Sequence, residues 1–452
     1  MSKISFILLF FITVSCSSQK TMNQQEQLNL NFQVEKITLT NGLRVLLVKR
    51  NKLPIFSFQT YYGVGSKFEM PGTTGSSHLL EHMMFKGAKK YGAGKFDKLI
   101  EGNGGSNNAY TTQDQTVYYE NLPKEHLKTI IDIEADRMNN LLLEKNSFEK
   151  ERQVVLEERK MRYENSDYGK MQMAMMKAIY KGSAYGSSVI GEIEDLKTVS
   201  REEVQTYFKQ FYTPNNAVIV IVGDIDVAQT KNWINEFYGP LNANKNLNKM
   251  KNEILAKRGT LFSGKFPVIE DIHGTAPAPM FWKGFQAKKL GERDAYVLDL
   301  LASILSDGES SYLMQKLVLT KNPIMSKVSA FNYTLEDQGI FLMTGTFLST
   351  DHEKNNVKKI SQILQTACGE AINEKNVQKV KNQYLIGMYK SLDTNEGIAS
   401  FLGLRESFMN DYQFYKKEME IYNSINTNEI EDVCEKYLKD EKSVLITSGK
   451  RN

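Results

Sequence analysis

Apolar and polar residues alternate most clearly in the first part of the chain. Val34-Glu35-Lys36-Ile37-Thr38-Leu39 and Leu43-Arg44-Val45-Leu46-Leu47-Val48 flank Asn41-Gly42. An Asn-Gly pair between two such runs predicts a hairpin. Residues 56–62 predict a further strand. The pattern then turns helical. Residues 75–86 are apolar nearly all round and stop at Gly87, which predicts a buried helix. Residues 96–101 predict a short helix that ends in the cluster Gly102-Asn103-Gly104-Gly105, and residues 126–143 keep a helical period. Ser147 is placed to cap a long helix running through Glu158 toward Met171. Ser200 and Glu203 have capping-box spacing ahead of a helix that reaches Phe211. Ala217 to Gly223 reads as a buried strand. Strands and helices in such blocks predict α+β or mixed α/β layering.

Residues 241–259 change character, with Asn242, Asn244, Asn246, Asn248 and Asn252 interleaved with Lys245, Lys249 and Lys251. This reads as a surface linker between halves of similar size. Both halves end alike. A helical stretch through Tyr207 leads into Ala217–Gly223, and one through Tyr437 leads into Ser443–Gly449. That parallel suggests a duplicated domain, although helix–turn–strand units are common.

The extreme N-terminus follows neither pattern. Lys3 precedes the apolar run Ile4 to Val14, which has signal-peptide length and is too short to cross a bilayer. Thr13-Val14-Ser15-Cys16 resembles a bacterial lipobox, with Thr13 where Leu or Val is usual. The expectation is a signal peptide over residues 1–15, lipidation of Cys16 and a polar tether over 16–32. An ordinary secretory signal cut nearby is the alternative. This places the protein in a bacterial cell envelope, on the periplasmic side, touching the membrane only through that lipid. No later apolar run is long enough to span a membrane. Net charge is +4 from 57 basic and 53 acidic residues, with no polybasic block, so no nucleic-acid partner is implied. Three cysteines are too few for a disulfide framework. Cys368 and Cys434 are free to pair or not.

The sharpest chemical signal is His78-Leu79-Leu80-Glu81-His82. Residues four apart share a helix face, so both imidazoles can meet one metal. Glu81, three residues after His78, sits where a carboxylate can take a proton from water. The order inverts H-E-x-x-H and keeps its roles. A catalytic zinc needs a third protein ligand. His126, His273 and His352 lie in polar contexts and read as surface residues. In Glu151-Arg152-Gln153-Val154-Val155-Leu156-Glu157-Glu158, Glu151, Val154, Val155 and Glu158 share one helical stripe. Two carboxylates there imply a buried polar object. Periodicity alone leaves the choice between Glu157 and Glu158 open.

These residues resemble the pitrilysin/insulinase family of inverted-motif zinc metallopeptidases, which includes the mitochondrial processing peptidase. The resemblance runs through Gly75 to Gly87, Gly104 to Thr111, Glu151 to Glu158, Tyr185 to Gly191 and Tyr212 to Asp224. It implies an α+β fold of two homologous α/β-layered domains, each a sheet with helices packed on one face, which together form one half of a clamshell peptidase. The domains are expected at 33–240 (zinc-bearing) and 264–452 (without zinc), joined by a linker at 241–263. One Zn²⁺ per chain is implied, with Glu158 as third ligand, Glu151 supporting the ligands and Glu81 as catalytic base. An edge strand holding Asn108 and Ala109 would bind peptide substrates by β-addition; Asn108 also suits a turn after the glycines. One half implies a dimer. Active relatives carry a distal Arg and, seven residues later, a Tyr, but Val318 and Met325 stand at those places here. The expectation is therefore a heterodimer with a sister subunit that brings the pair, with a homodimer as runner-up. The rival function is a structural or assembly subunit that keeps zinc without turnover.

Overall fold

The computed structural model describes residues 30–259, 264–276, 278–349 and 353–449. The leader, Cys16, the tether as far as residue 29 and His352 lie outside the described residues. Among the described residues, eleven strands form two sheets. The first holds β1 (Val34–Thr38), β2 (Arg44–Lys49), β3 (Ile55–Tyr62), β4 (Ser106–Thr111), β5 (Thr116–Pro123) and β6 (Ala217–Gly223), in the order β1-β2-β6-β3-β5-β4. The second holds β7 (Val268–His273), β8 (Met280–Ala287), β9 (Met325–Thr334), β10 (Gly339–Phe347) and β11 (Ser443–Gly449), in the order β7-β11-β8-β10-β9. The hairpin expected around Asn41-Gly42 is present, with Val34 opposite Val48 and Gly42 at φ 86°. Such a left-handed turn residue matches the strand twist.

The two sheets repeat one plan. β6 pairs parallel to β2 and antiparallel to β3, and β11 pairs parallel to β7 and antiparallel to β8. Each of these strands follows the helix–turn unit noted in the sequence, Arg201–Phe211 and Thr427–Tyr437. Alternate residues divide each sheet between two faces. Val45, Leu47, Phe56, Phe58, Ile219 and Ile221 join the first core beneath the helices of their own half. Phe281, Phe285, Phe341 and Met343 do the same in the second.

The opposite faces are also covered, by helices exchanged between the halves. Asn395–Met409, from the second half, lies against the first sheet: Gly403 abuts Tyr61, Gln59 bonds to the Glu396 carbonyl at 3.1 Å, and Arg44 pairs with Glu406 at 3.0 Å. In return Asp167–Ile179 places Met171, Met175 and Ile179 on Trp282, Ile340, Val444 and Ile446 of the second sheet. The chain from Val34 onward forms one compact unit. The 241–263 stretch carries the helix Leu247–Arg258. Its Lys251 ammonium donates to the Gly63 carbonyl at 2.6 Å, so this part of the stretch is docked.

Ser147 does not cap a helix. The helix begins two residues earlier and runs Lys145–Arg159, then widens into a π turn over Lys160–Glu164 and stops. Ser166 caps the next helix. Cys368 and Cys434 form a disulfide between the helices Glu353–Glu370 and Thr427–Tyr437. No described helix is long and apolar enough to cross a membrane.

Candidate metal centre

The helix Ser76–Met84 is anchored before it presents any chemistry. Gly75 precedes it at φ 87°, and a Cβ there would lie 2.5 Å from the Ile190 carbonyl oxygen, so the turn demands glycine. The fully buried Glu69 accepts hydrogen bonds from the Gly75 and Ser77 amides, both at 2.7 Å. These are among the amides a helix start leaves without intrahelical partners. Burial pushes the Glu69 carboxyl up to about 7, while the two amide bonds pull the other way. The Ser77 and Tyr207 hydroxyls lie 2.7 Å apart. Leu79, Leu80, Met83 and Met84 are buried in the first core, which leaves His78, Glu81 and His82 on the less buried face.

The helix Lys145–Arg159 faces it. Arg152 donates to the Leu196 and Val199 carbonyls at 2.5 and 2.6 Å, and Arg159 to the Gly191 carbonyl at 2.8 Å. With Phe148 and Val155 buried beside them, these bonds fix the rotation of the helix. Glu158 is thereby turned inward, its side chain 14% exposed, and Glu157 outward at 70%.

His78, His82 and Glu158 each offer one ligand atom within 4.8 Å of the others. His82 Nε2 lies 3.4 Å from Glu158 Oε2, and His78 Nε2 lies 3.8 Å from Glu158 Oε1. Tetrahedral zinc, with bonds near 2.1 Å, spaces its ligand atoms about 3.4 Å apart, so this donor set fits the ion. Burial, then the neighbouring His82, lowers the His78 pKa to about 4, which keeps its lone pair free. For Glu158, burial favours the acid, but the bond to His82 and the charge of Arg162 outweigh it and hold its pKa below the usual value. His82 is drawn the other way. Burial opposes its charge, yet its bond to Glu158 and the carboxylates of Glu158 and Glu81 raise its pKa.

Glu151 Oε2 sits 3.4 Å from His82 Nδ1, and Lys86 Nζ reaches Glu151 Oε1 at 2.8 Å. A carboxylate on the outer imidazole nitrogen sets the tautomer that leaves the inner one free. Glu81 receives a 2.5 Å hydrogen bond from the Thr111 hydroxyl, and burial raises its pKa. Thr111 ends β4, whose outer edge pairs with no described strand. Asn108 and Ala109 lie on that strand, and the Ala109 amide donates to Asn108 Oδ1 at 2.8 Å.

His126 is half-buried and His273 exposed, and neither is in the cluster. Met325 is 1% exposed and Val318 packs on the second core. Sequence reasoning missed Glu69, Lys86, Thr111 and Arg162. Strand alternation carried a signal for Thr111, which shares a face with Ala109, and helix spacing one for Lys86, four residues after His82.

Two family models match the chain. Insulinase (Peptidase family M16) covers residues 44–192, and the Peptidase M16 inactive domain covers 198–384. Among relatives, the "Zinc protease PqqE" of Helicobacter pylori is 27% identical over 91% of this chain and 92% of its own. The "Mitochondrial-processing peptidase subunit beta" of Lentinula edodes is 24% identical over 93% and 91%. A crystal structure of a protease from Helicobacter pylori superposes with a TM-score of 0.82 at 24% identity, covering 92% of this chain and all of that one. A peptidase M16 inactive domain from Pseudomonas fluorescens gives the same TM-score at 16% identity, over 93% and 98%. These two likenesses show the fold.

Proposed function

Because this chain belongs to the insulinase family of peptidases, we propose that it is a zinc-dependent endopeptidase acting on peptides or unfolded segments. The observation that carries the reading is the convergence of His78, His82 and Glu158 with Glu81 on the same helix turn. Zinc held by those three residues would supply Lewis-acid polarisation of the scissile carbonyl and of the attacking water. Glu81 takes the proton of that water and returns it to the leaving amine. Thr111 holds the Glu81 carboxylate in place for both transfers. Substrate lies along the free edge of β4, where Asn108 and Ala109 meet its main chain, so recognition depends little on side chains.

The apolar side chains at the places of the Arg/Tyr pair, Val318 packed on the second core and Met325 buried in it, support a division of labour between two chains. A sister subunit brings the Arg/Tyr pair and closes the chamber; a homodimer is the alternative. The leader would direct the chain to the envelope and the lipid on Cys16 would hold the pair there. The Cys368–Cys434 disulfide suits such an oxidising compartment.

The test is hydrolysis of an unstructured quenched peptide by the chain alone and with a sister subunit, with and without chelator. Activity that needs both subunits and zinc is expected. Full activity of the chain alone as a homodimer refutes the division of labour. Bound zinc without turnover in any pairing refutes the peptidase. His82→Ala is expected to lose zinc. Glu81→Gln is expected to keep it and lose about 10²–10⁴ in rate; an active Glu81→Gln refutes the base.

A further inference from the structure

We propose that Arg162 is the positioning residue of the third metal ligand. Its guanidinium grips one oxygen of Glu158, so that the other is the one offered to the metal. The inference rests on the zinc reading above.

Arg162 Nη1 donates to Glu158 Oε1 at 2.9 Å, while Glu158 Oε2 faces His82 Nε2 at 3.4 Å. The two oxygens thus have different partners. Glu151 is divided in the same way: Oε1 takes Lys86 Nζ at 2.8 Å and Oε2 faces His82 Nδ1 at 3.4 Å. Each carboxylate thus has one oxygen tied to a cation and the other 3.4 Å from a nitrogen of His82, the Arg162-bound oxygen of Glu158 lying farther off, 3.8 Å from His78 Nε2. Such a tie fixes the plane of the carboxylate and occupies its second oxygen, which favours binding through the first alone. Arg162 lies in the π turn Lys160–Glu164, immediately after Glu158, and single π turns recur at functional sites. Its side chain is 68% exposed. An exposed pair of this spacing adds only a few tenths of a kcal/mol to a helix, so stability gives little reason for it.

The sign of the effect separates this role from simple charge. A guanidinium beside the site repels a divalent cation and competes for Glu158. If charge were all, removing it would tighten zinc binding. Loss of orientation weakens it.

The experiment uses the full chain stripped of metal, with zinc affinity read by competition against a chromophoric chelator. Arg162→Met is expected to weaken zinc about 10–100-fold, the usual cost of losing a partner behind a ligand, and Arg162→Lys to recover part of the loss. Lys160→Met, from the same turn, is expected to change nothing, since among the described residues Lys160 pairs with Glu157, at 3.9 Å, and with no residue of the cluster. Melting temperatures without zinc should match in all four proteins. Equal or tighter zinc in Arg162→Met overturns the proposal. Equal weakening by Lys160→Met, or a zinc loss that tracks a lower zinc-free melting temperature, overturns it too. A wild-type chain that takes up no zinc refutes the metal reading itself, and this assignment with it. One zinc per wild-type chain with an unaffected Arg162→Met refutes the assignment alone.

Discussion

Glu81 must stay ionisable although burial raises its pKa, and the Thr111 hydroxyl offsets part of that cost by stabilising the carboxylate. Thr111→Val keeps the shape and removes the bond. It is expected to lower kcat about tenfold to a hundredfold, the scale of a misplaced catalytic group, with zinc content and KM unchanged. Thr111→Ser should restore most of the rate. A rise in KM alone would mean that Thr111 serves substrate binding on β4 instead. His78, Glu81 and His82 were legible in the chain because one helical turn sets their relation. Glu157 and Glu158 were not separable by periodicity. Arg152 and Arg159 set the rotation of their helix by gripping carbonyls some 30 to 50 residues onward in the chain, and no local pattern records that.

The helix of the histidine motif is held at its start by two features of different visibility. Gly75 is visible as a glycine before an apolar run, but its necessity lies in the Ile190 carbonyl packed against it. Gly75→Ala should cost at least about 1–2 kcal/mol for the left-handed backbone alone, read as a lower denaturation midpoint. The Glu69 cap is invisible to capping rules, because the side chain comes from outside the helix, six residues before Gly75. Its pH dependence has a definite sign. The folded chain keeps a proton on Glu69 up to about pH 7, whereas an ordinary carboxyl has released it by about pH 4.5. Stability therefore falls as pH rises through that window. Glu69→Gln lacks this term, so wild-type stability relative to the variant should drop by up to about 3 kcal/mol between acid and neutral pH. Urea titrations on both sides of the window measure it; a flat difference refutes the assignment.

The halves are joined by more than a linker. Besides the exchanged helices, Lys67 is buried among Asp114 at 2.8 Å, Glu336 at 2.5 Å and Asp337 at 3.3 Å. This ties the turn after β4 to the turn between β9 and β10. Lys67→Met leaves Asp114 buried without its cation and should cost about 3–5 kcal/mol, measured by urea unfolding. The two tryptophans report separately, with Trp233 packed on the first core and Trp282 on the second sheet. Single-tryptophan variants are expected to unfold at one common midpoint, since neither sheet keeps both faces covered alone. Two separated transitions would show that the halves fold independently.

By itself the sequence determined β1, β2, β3, β6 and β11, several helices of the first half, the repeated helix–turn–strand ending and the inverted histidine motif. Each of these is written within one turn or one pleat, where spacing and side-chain direction are the same thing. Tertiary structure alone decided which of two adjacent glutamates turns inward, how Glu69 and Thr111 serve residues they are not paired with by any local spacing rule, and how each half lends a helix to the other's sheet. Those outcomes depend on contacts between segments far apart in the chain. There the winner is set by which groups must be buried and which buried groups must be bonded, and a periodic pattern carries neither.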